Sequence, residues 1–172
     1  MTVYCDTRQQ KGKHTNIDGW FDRNEVEYEY KKLDFGDYMT DSSNISVDTK
    51  RNMQEVAGNC GRDHARFVRE IKRANEAGYQ LVVLVEAMGY RDVHDVARWT
   101  NRVCARCDRR RLGYCNPNFG GGCSAGHRKP ITGPTLARIM ESLEQRHNVR
   151  FEFCHPAHTA RRICEILGVM TK

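Results

Sequence analysis

The chain has 172 residues, with 28 Lys and Arg against 22 Asp and Glu, which gives a formal net charge of +6. This length suits one domain over residues 1–172, and the basic balance favours a polyanionic partner, because clustered Lys and Arg gain affinity by releasing counterions from phosphates. The longest apolar run, residues 81–85, is far too short to cross a bilayer, and no signal peptide is visible, so we expect no membrane partner.

Short strands and amphipathic helices alternate along the sequence. The predicted elements are a strand at 2–6, a helix at 12–24, a three-strand meander at 26–30, 36–40 and 45–49, a helix at 52–57, a helix capped by Asp63, a strand at 81–86, a helix at 132–147, a strand at 149–154 and a helix at 159–167. The strand at 81–86 is continuously apolar, a pattern typical of strands buried on both faces. This order predicts an α/β fold with a mixed sheet between helices.

The eight cysteines fall into two groups. Cys5, Cys60, Cys154 and Cys164 are scattered among apolar neighbours, as buried thiols are. The other four lie in residues 100–130, a polar segment that we call the Cys-rich insert. Without a secretory signal, we expect a reducing compartment, the cytoplasm (the host's, if the protein is phage-encoded), and not a disulfide scaffold.

The Cys-rich insert has the ligand spacing of a zinc site. Cys104 and Cys107 form a two-residue knuckle that lets two thiolates reach one ion, and Cys115, Cys123 and His127 follow. We expect the four cysteines to bind a structural Zn²⁺, with His127 as the alternate fourth ligand. Zinc would order a segment too polar to build its own core. The alternative is a loop of reduced thiols.

Two carboxylates and a lysine surround the turn at 41–44. Asp37 precedes the turn, and Asp48 and Lys50 lie at the end of the β-branched strand that follows it. Carboxylate oxygens suit Mg²⁺ or Mn²⁺, and a lysine can orient a water molecule or stabilise charge that develops on phosphate. This set is the minimum for a phosphodiester hydrolase. A lone Asp-x-Lys also occurs by chance at strand ends, and Gly36-Asp37 is common in turns.

Three segments in order resemble one known family. They are Val-Tyr-Cys-Asp-Thr-Arg at 3–8, Gly-Asp-Tyr at 36–38 and Val-Asp-Thr-Lys at 47–50. They are similar to the nuclease domain of XPF-type structure-specific endonucleases, which has the PD-(D/E)XK, restriction-endonuclease-like fold; segments 131–133 and 151–154 resemble its small stand-alone, phage-like members. The Glu-Arg-Lys triplet of that family is Asp-Thr-Lys here. The family's helix-hairpin-helix module is not found in this sequence, which leaves the substrate structure and a homodimer open.

The resemblance implies roles for individual residues. Asp37 and Asp48 would bind the catalytic Mg²⁺ or Mn²⁺, and Lys50 would hold or polarise the attacking water. Asp6 would be an accessory acid that faces the same metal, and Arg8 would contact phosphate. Asp6 could instead end its strand and pair with Arg8. The Thr49 carbonyl could add a metal ligand, and Tyr38 could pack behind the site or touch the substrate backbone. Glu55 and Glu86 are weaker candidates for supporting the site.

Arginines are concentrated on the helix after Asp63 and in the Cys-rich insert. Beside a nuclease motif, they favour contact with a nucleic-acid backbone. The alternative is a solvated helix face that Asp63 and Glu70 partly neutralise. The arginines that we expect to bind nucleic acid are Arg62, Arg66, Arg69, Arg109 and Arg110.

These patterns predict a metal-dependent endonuclease that hydrolyses DNA phosphodiester bonds at branched, flapped or junction structures, in repair, recombination or replication. One alternative is a non-catalytic nucleic-acid-binding module that keeps the nuclease fold and a zinc-stabilised lobe. A more distant alternative is a zinc-organised interaction protein with no nucleic-acid role. The sequence does not distinguish DNA from RNA.

Overall fold

A mixed sheet of six strands, with helices on both faces, organises the protein. The computed structural model describes residues 1–8, 15–115, 123 and 129–171. Its elements are β1 (Val3–Asp6), α1 (Thr15–Arg23), β2 (Tyr28–Lys31), β3 (Tyr38–Met39), β4 (Ile45–Lys50), α2 (Met53–Cys60), α3 (His64–Glu76), β5 (Gln80–Glu86), a 3-10 helix (Val93–Arg98), α4 (Arg102–Ala105), α5 (Asp108–Arg111), α6 (Gly133–Arg146), β6 (Val149–Cys154), a second 3-10 helix (Pro156–His158) and α7 (Thr159–Leu167). No helix in the described ranges has the length and apolar character needed to span a membrane.

The strand order in the sheet is β2-β1-β3-β4-β5-β6. Strand β3 runs antiparallel to both β1 and β4, and the other neighbours are parallel. The predicted α/β fold is therefore confirmed, and its arrangement is the restriction-endonuclease-like one. The predicted meander was wrong, because β1 lies between β2 and β3. The crossover through α1 allows β1 and β2 to pair in parallel, which a short turn cannot do.

Alternation along β5 divides the core into two layers. Leu81, Val83 and Val85 pack with α2, α3 and α6 on one face, while Val82 and Leu84 pack with α1 and α7 on the other. All five side chains are fully buried. The apolar run therefore corresponds to a strand covered on both sides, as predicted.

One predicted helix end was wrong, and one predicted cap lacks its hydrogen bond. Helix α2 was expected to end at Ala57, but it continues through Gly58 to Cys60. Val56, Ala57 and Cys60 are buried, and this packing outweighs the glycine's cost in a helix. Asp63 occupies the cap position of α3, yet its side chain makes no capping hydrogen bond.

Gly36 allows the chain to turn directly into Asp37. Its φ is 66°, and a Cβ at this position would collide with the Ser46 hydroxyl and lie 3.1 Å from the Val47 carbonyl oxygen. The next amide, that of Asp37, donates a 2.7 Å hydrogen bond to the same carbonyl. The close approach of Gly36 to β4 thus sets the position of Asp37.

Gly36→Ala should lower the free energy of unfolding more than Gly78→Ala. Both glycines have positive φ, 66° and 82°, so each alanine costs about 1 kcal/mol of backbone strain. Only at Gly36 does the new methyl group also meet a neighbour, since nothing lies within 4 Å of the Cβ position at Gly78. Urea denaturation measures both losses. Equal losses would contradict the packing of Gly36 against Ser46.

Candidate active site

Three strands bring the predicted acidic residues to one edge of the sheet. Asp6 ends β1, Asp37 immediately precedes the antiparallel β3, and Asp48 lies near the end of β4. The Asp6 amide donates to the Asp37 carbonyl oxygen at 2.9 Å, and the Asp37 amide donates to the Val47 carbonyl oxygen at 2.7 Å. Asp6, Asp37 and Asp48 are far apart in sequence, but they lie next to one another on adjacent strands of the sheet.

Strand alternation places Asp48 on the face that α2 and α3 cover. Val47 is fully buried in the core layer of α1 and α7, so its neighbour Asp48 points toward the opposite face. Asp37 lies just before β3, where its carboxylate contacts Thr49. Tyr38 packs edge-on against Phe21, with ring centroids 6.4 Å apart, so it supports the sheet from behind.

Asp48 and Lys50 form a buried ion pair. The Lys50 Nζ donates a hydrogen bond to Asp48 Oδ1 at 2.7 Å and lies 2.6 Å from Oδ2. The two side chains are only 6% and 11% exposed. Within the described residues, Oδ2 accepts no hydrogen bond, so its contact with Nζ is ionic only. A buried carboxylate oxygen is thus left with unused acceptor capacity.

Burial and neighbouring charge act on both groups of the pair. Burial raises the pKa of Asp48 to about 7; Lys50 opposes this rise, and Asp37 and Glu70 add to it. For Lys50, burial lowers the pKa, but Asp48 outweighs burial, so the pKa is raised and the ammonium stays protonated. The lysine charge is therefore what makes an ionised Asp48 tolerable inside the fold.

Thr49 orients the carboxylate of Asp37. Oδ2 of Asp37 accepts hydrogen bonds from the Thr49 amide at 2.9 Å and from the Thr49 hydroxyl at 2.5 Å. Two donors from one residue hold the carboxylate in a single orientation at the sheet edge. Sequence reasoning considered only the Thr49 carbonyl and missed this contact, since an Asp-x-Lys pattern does not reveal a partner on another strand.

The carboxylate of Asp6 already accepts hydrogen bonds from Arg8 and from a backbone amide. Its two oxygens lie 3.2 and 3.0 Å from Arg8 Nε, and the Leu33 amide donates to Oδ1 at 3.1 Å. Arg8 also donates from Nη2 to the Leu33 carbonyl oxygen. The pairing named as the alternative for Asp6 is therefore present. Its role as an accessory metal-site acid stays a prediction.

An open cleft of about 700 Å³ lies beside these acids. Asp48 and Lys50 lie deeper and do not form part of its wall. Although its volume is in the range of small-molecule pockets, its wall is almost entirely charged, which suits a phosphate backbone better than an apolar ligand. The lining residues are Asp6, Arg8, Asp34, Gly36, Asp37, Arg66, Arg69, Glu70, Lys72, Arg73 and Glu76.

Helix α3 supplies the basic wall of this cleft. Phe67, Ile71 and Ala74 are buried and fix the rotation of the helix about its axis. Arg66 and Arg69 then line the cleft with Asp37, whereas Arg62 does not; its side chain is 87% exposed and lies 3.4 Å from Asp63.

Glu55 and Glu86 have structural partners, and the charge of Glu55 also helps to raise the pKa of Lys50. Glu55 accepts a hydrogen bond from the Arg51 amide at 3.0 Å, while its own amide donates to Asn52 Oδ1, so it closes the start of α2. Glu86 accepts from the Thr159 hydroxyl at 2.7 Å and ties β5 to α7.

The described part of the Cys-rich insert contains two short helices joined at Cys107. The Cys107 amide donates to the Cys104 carbonyl oxygen at 3.2 Å, a tight turn between the first two thiols. Burial raises the pKa of Cys104, and repulsion from Cys123, Cys115 and Cys107 contributes, so the four thiols lie in one neighbourhood. All four are free thiols and half-buried.

Metal binding at either place stays a prediction. Across the described ranges, no group of three or more His, Cys, Asp and Glu side chains is arranged closely enough to hold an ion. His127, the alternate zinc ligand, lies outside the described residues. Of the predicted arginines in the insert, Arg109 is exposed and Arg110 donates to the Thr100 hydroxyl at 3.0 Å.

Comparison with known proteins identifies the class of fold. No family model and no curated protein matches the sequence. Among solved structures, the chain is similar to XPF from Aeropyrum pernix, with a TM-score of 0.58 and 20% sequence identity. The match covers 97% of this chain and 65% of that one, so the chain spans about two thirds of the length of that structure. The protein therefore has an XPF-like nuclease fold, as the sequence resemblance implied.

Lys50→Met should destabilise the protein by about 3 kcal/mol or more at pH 8, because Asp48 would then be a buried charge without a partner. Burial raises the pKa of Asp48, so the folded protein binds this proton more tightly than the unfolded chain. Well below the folded pKa of about 7, Asp48 is protonated in both proteins and the loss is small; the loss appears as the pH rises through about 7. Chemical denaturation at pH 5 and pH 8 measures it.

The double variant Asp48→Asn, Lys50→Met is the control, since it removes both charges. It should recover most of the stability at pH 8. If Lys50→Met loses the same stability at both pH values, Asp48 is not a buried charge that Lys50 balances.

Proposed function

We propose that this protein is a divalent-metal-dependent endonuclease that hydrolyses DNA phosphodiester bonds at branched or flapped structures. One observation carries the proposal: Asp37, Asp48 and Lys50 meet at a single sheet edge beside a cleft walled by arginines of α3. The XPF-like nuclease fold supports it independently. Cleavage of such structures belongs to DNA repair, recombination or replication.

The residues at this edge fit a hard divalent cation. Carboxylate oxygens of Asp37 and Asp48 are the donors that Mg²⁺ and Mn²⁺ prefer. Among the described residues, Asp48 Oδ2 contacts only the Lys50 ammonium, at 2.6 Å, so the oxygen can still accept a further contact from such an ion. When bound, the cation would supply Lewis-acid stabilisation of the phosphate charge and a more acidic water.

The chain's own groups would align the reaction. Thr49 holds the Asp37 carboxylate in one orientation through its amide and hydroxyl. With a cation held by Asp48, the Lys50 ammonium would be free of part of its ion pair and could donate to the attacking water or to a phosphate oxygen. Asp6 keeps Arg8 in the cleft wall, where its guanidinium can bind phosphate.

The arginines of α3 are proposed to hold the DNA backbone. Arg66 and Arg69 line the same cleft as Asp6 and Asp37, so a phosphate chain that they bind would lie beside these acids. Contacts of this kind position a duplex or single strand without reading its sequence. Recognition by backbone shape is consistent with a substrate defined by its structure.

We further propose that Cys104, Cys107, Cys115 and Cys123 bind one structural zinc ion. The tight turn between the first two and the contribution of the other three thiols to the raised pKa of Cys104 support it. The base of the segment is already closed, because the Asn101 amide group donates to the Ile131 carbonyl oxygen at 3.2 Å. Zinc would order the chain between these two points.

Asp48→Asn and Asp37→Asn should each reduce DNA cleavage by about 100-fold or more, because each removes a charged ligand of the reaction centre. The assay uses flap, fork, four-way junction, linear duplex and single-stranded DNA, and an RNA hairpin, with Mg²⁺ at a defined salt concentration. Arg146→Ala, on the exposed surface of α6, is the matched control and should cut like the wild type. Arg66→Ala should weaken DNA binding as well as cutting.

Each other outcome has a definite meaning. Equal cutting by the wild type and both aspartate variants overturns the assignment of the site. DNA binding without metal-stimulated cutting by any variant identifies a non-catalytic binding module. Absence of binding even at low salt favours the zinc-organised interaction protein, and cutting of the RNA hairpin alone replaces DNA as the substrate.

Metal analysis of protein purified without a chelator should find about one zinc per chain, and Cys107→Ser should lower that content and the melting temperature. Thiol labelling provides an internal control. Burial raises the pKa of Cys5 and Cys60 to about 12, so both should stay unreactive whether or not zinc is present. The insert thiols should become reactive only after zinc removal. A fully folded, zinc-free protein would refute the site.

A further inference from the structure

The Cys-rich insert exposes apolar side chains among its arginines. Val103, Leu112 and Tyr114 are 60%, 69% and 72% exposed, and they are three of the seven large apolar side chains that are exposed in the described part of the chain. Neither α4 nor α5 contains a buried residue. These side chains therefore add nothing to the core, and apolar groups exposed together are typical of an interaction surface.

We propose that Tyr114 is a stacking platform for an unpaired base of the nucleic-acid substrate, and that Arg109 binds the adjoining phosphate. This inference rests on the proposed function and specifies which feature of a branched or flapped structure the protein recognises. Three observations support it: the turn that holds Tyr114, the charge of the segment around it, and the place where the insert is attached.

A closed turn holds the backbone of Tyr114 at the end of α5. The Gly113 amide donates to the Arg110 carbonyl oxygen at 3.1 Å, and the Tyr114 amide donates to the Arg109 carbonyl oxygen at 2.8 Å. Gly113 has a φ of 80°, the left-handed conformation that ends a helix in this way. The residue after such a glycine commonly packs on an apolar side chain of the last helical turn, but here that position is Arg109. The turn thus fixes the backbone while the ring stays exposed.

The segment around Tyr114 has an excess of positive charge. Residues 101–115 contain five arginines and a single acid, Asp108. Asp108 already pairs with Arg111 at 3.3 Å, and Arg109 is exposed with no other acid in this segment. An exposed ring beside guanidinium groups suits a single nucleic-acid strand, because its phosphates bind cations and its bases stack on rings.

The insert is attached close to the candidate active site. The Arg102 amide donates to Gln54 Oε1 at 3.0 Å, which joins the start of α4 to α2. Asn101 is 5% exposed and closes the same point by donating to the Ile131 carbonyl oxygen. Gln54 follows Lys50 by four residues, so their backbones are at most about 14 Å apart. The insert therefore starts within about four nucleotide spacings of Lys50, at about 3.4 Å per phosphate.

Two other roles would also explain an aromatic ring at this position. If Tyr114 packs against the rest of the insert, its removal lowers the stability of the free protein, whereas stacking on a base leaves that stability unchanged. If the basic and apolar surface meets an anionic membrane, it binds vesicles and not DNA. The nuclease fold and the attachment of the insert near Lys50 favour nucleic acid.

The test is binding of the full chain to forked, single-stranded and blunt duplex DNA at one salt concentration, without added divalent cations. Tyr114→Ala should weaken binding of the forked and single-stranded DNA by about tenfold and leave the duplex unchanged, because only unpaired bases can stack. Tyr114→Phe keeps the ring and should bind like the wild type. Arg109→Ala should weaken binding of all three, since all carry phosphates. Met170→Ala, 93% exposed and outside the insert, is the matched control and should change nothing.

A fluorescent adenine analogue in the unpaired arm beside the branch measures stacking directly. The wild type and Tyr114→Phe should change its fluorescence, and Tyr114→Ala should not. The melting temperature of each free variant tests packing within the insert. Binding to vesicles of phosphatidylcholine and phosphatidylserine tests the membrane role.

Four results would each overturn the role of Tyr114. They are wild-type binding of every DNA by Tyr114→Ala, an equal loss on the blunt duplex, a lower melting temperature of Tyr114→Ala, and binding of the wild type to vesicles but not to DNA. In the first three cases, cutting of branched DNA that depends on Asp48 still supports the nuclease proposal. If the wild type binds no DNA, both proposals fail. If stacking is observed but the wild type does not cut, the role of Tyr114 stands and the nuclease proposal fails.

Discussion

The buried ion pair between Asp48 and Lys50 is the contact on which the arrangement of the candidate site depends. Strand β4 runs through the middle of the sheet, so neither side chain can reach bulk water and each must balance the other. Their positions two residues apart put both charges on the face covered by α3. The end of this central strand therefore carries two charged side chains, Asp48 and Lys50, whose burial the surrounding fold must stabilise.

Charge around the cleft is balanced, although the chain as a whole is basic. Five acids and five bases line the cleft wall, so the net charge of +6 is not concentrated there. Attraction of a phosphate backbone thus depends on where Arg66 and Arg69 stand relative to the acidic edge. A bound cation would neutralise that edge, which couples metal binding and phosphate binding at one place.

Local sequence patterns correctly predicted the elements whose formation does not depend on which strand or helix they pack against. The apolar run in β5 was predicted as a strand buried on both faces, and the structure has one there. Gly36 and Asp37 were expected inside a strand at 36–40 but form the turn before β3. The meander was wrong because β1 and β2 pair through a crossover helix, which no local pattern reveals. Gly58 did not end α2, because packing of Val56 and Cys60 against the core outweighs a weak propensity.

The sequence by itself determined which chemical groups are present and in what order: Asp37, Asp48 and Lys50 around a hairpin, arginines on one helix, and clustered cysteines. Only the tertiary structure decided which of these groups meet. It paired Asp6 with Arg8, put Thr49 on the Asp37 carboxylate, and placed Arg66 and Arg69 in the cleft wall while leaving Arg62 outside it. The physical reason is that strand alternation and the rotation of a packed helix set side-chain directions, and both follow from burial of distant residues.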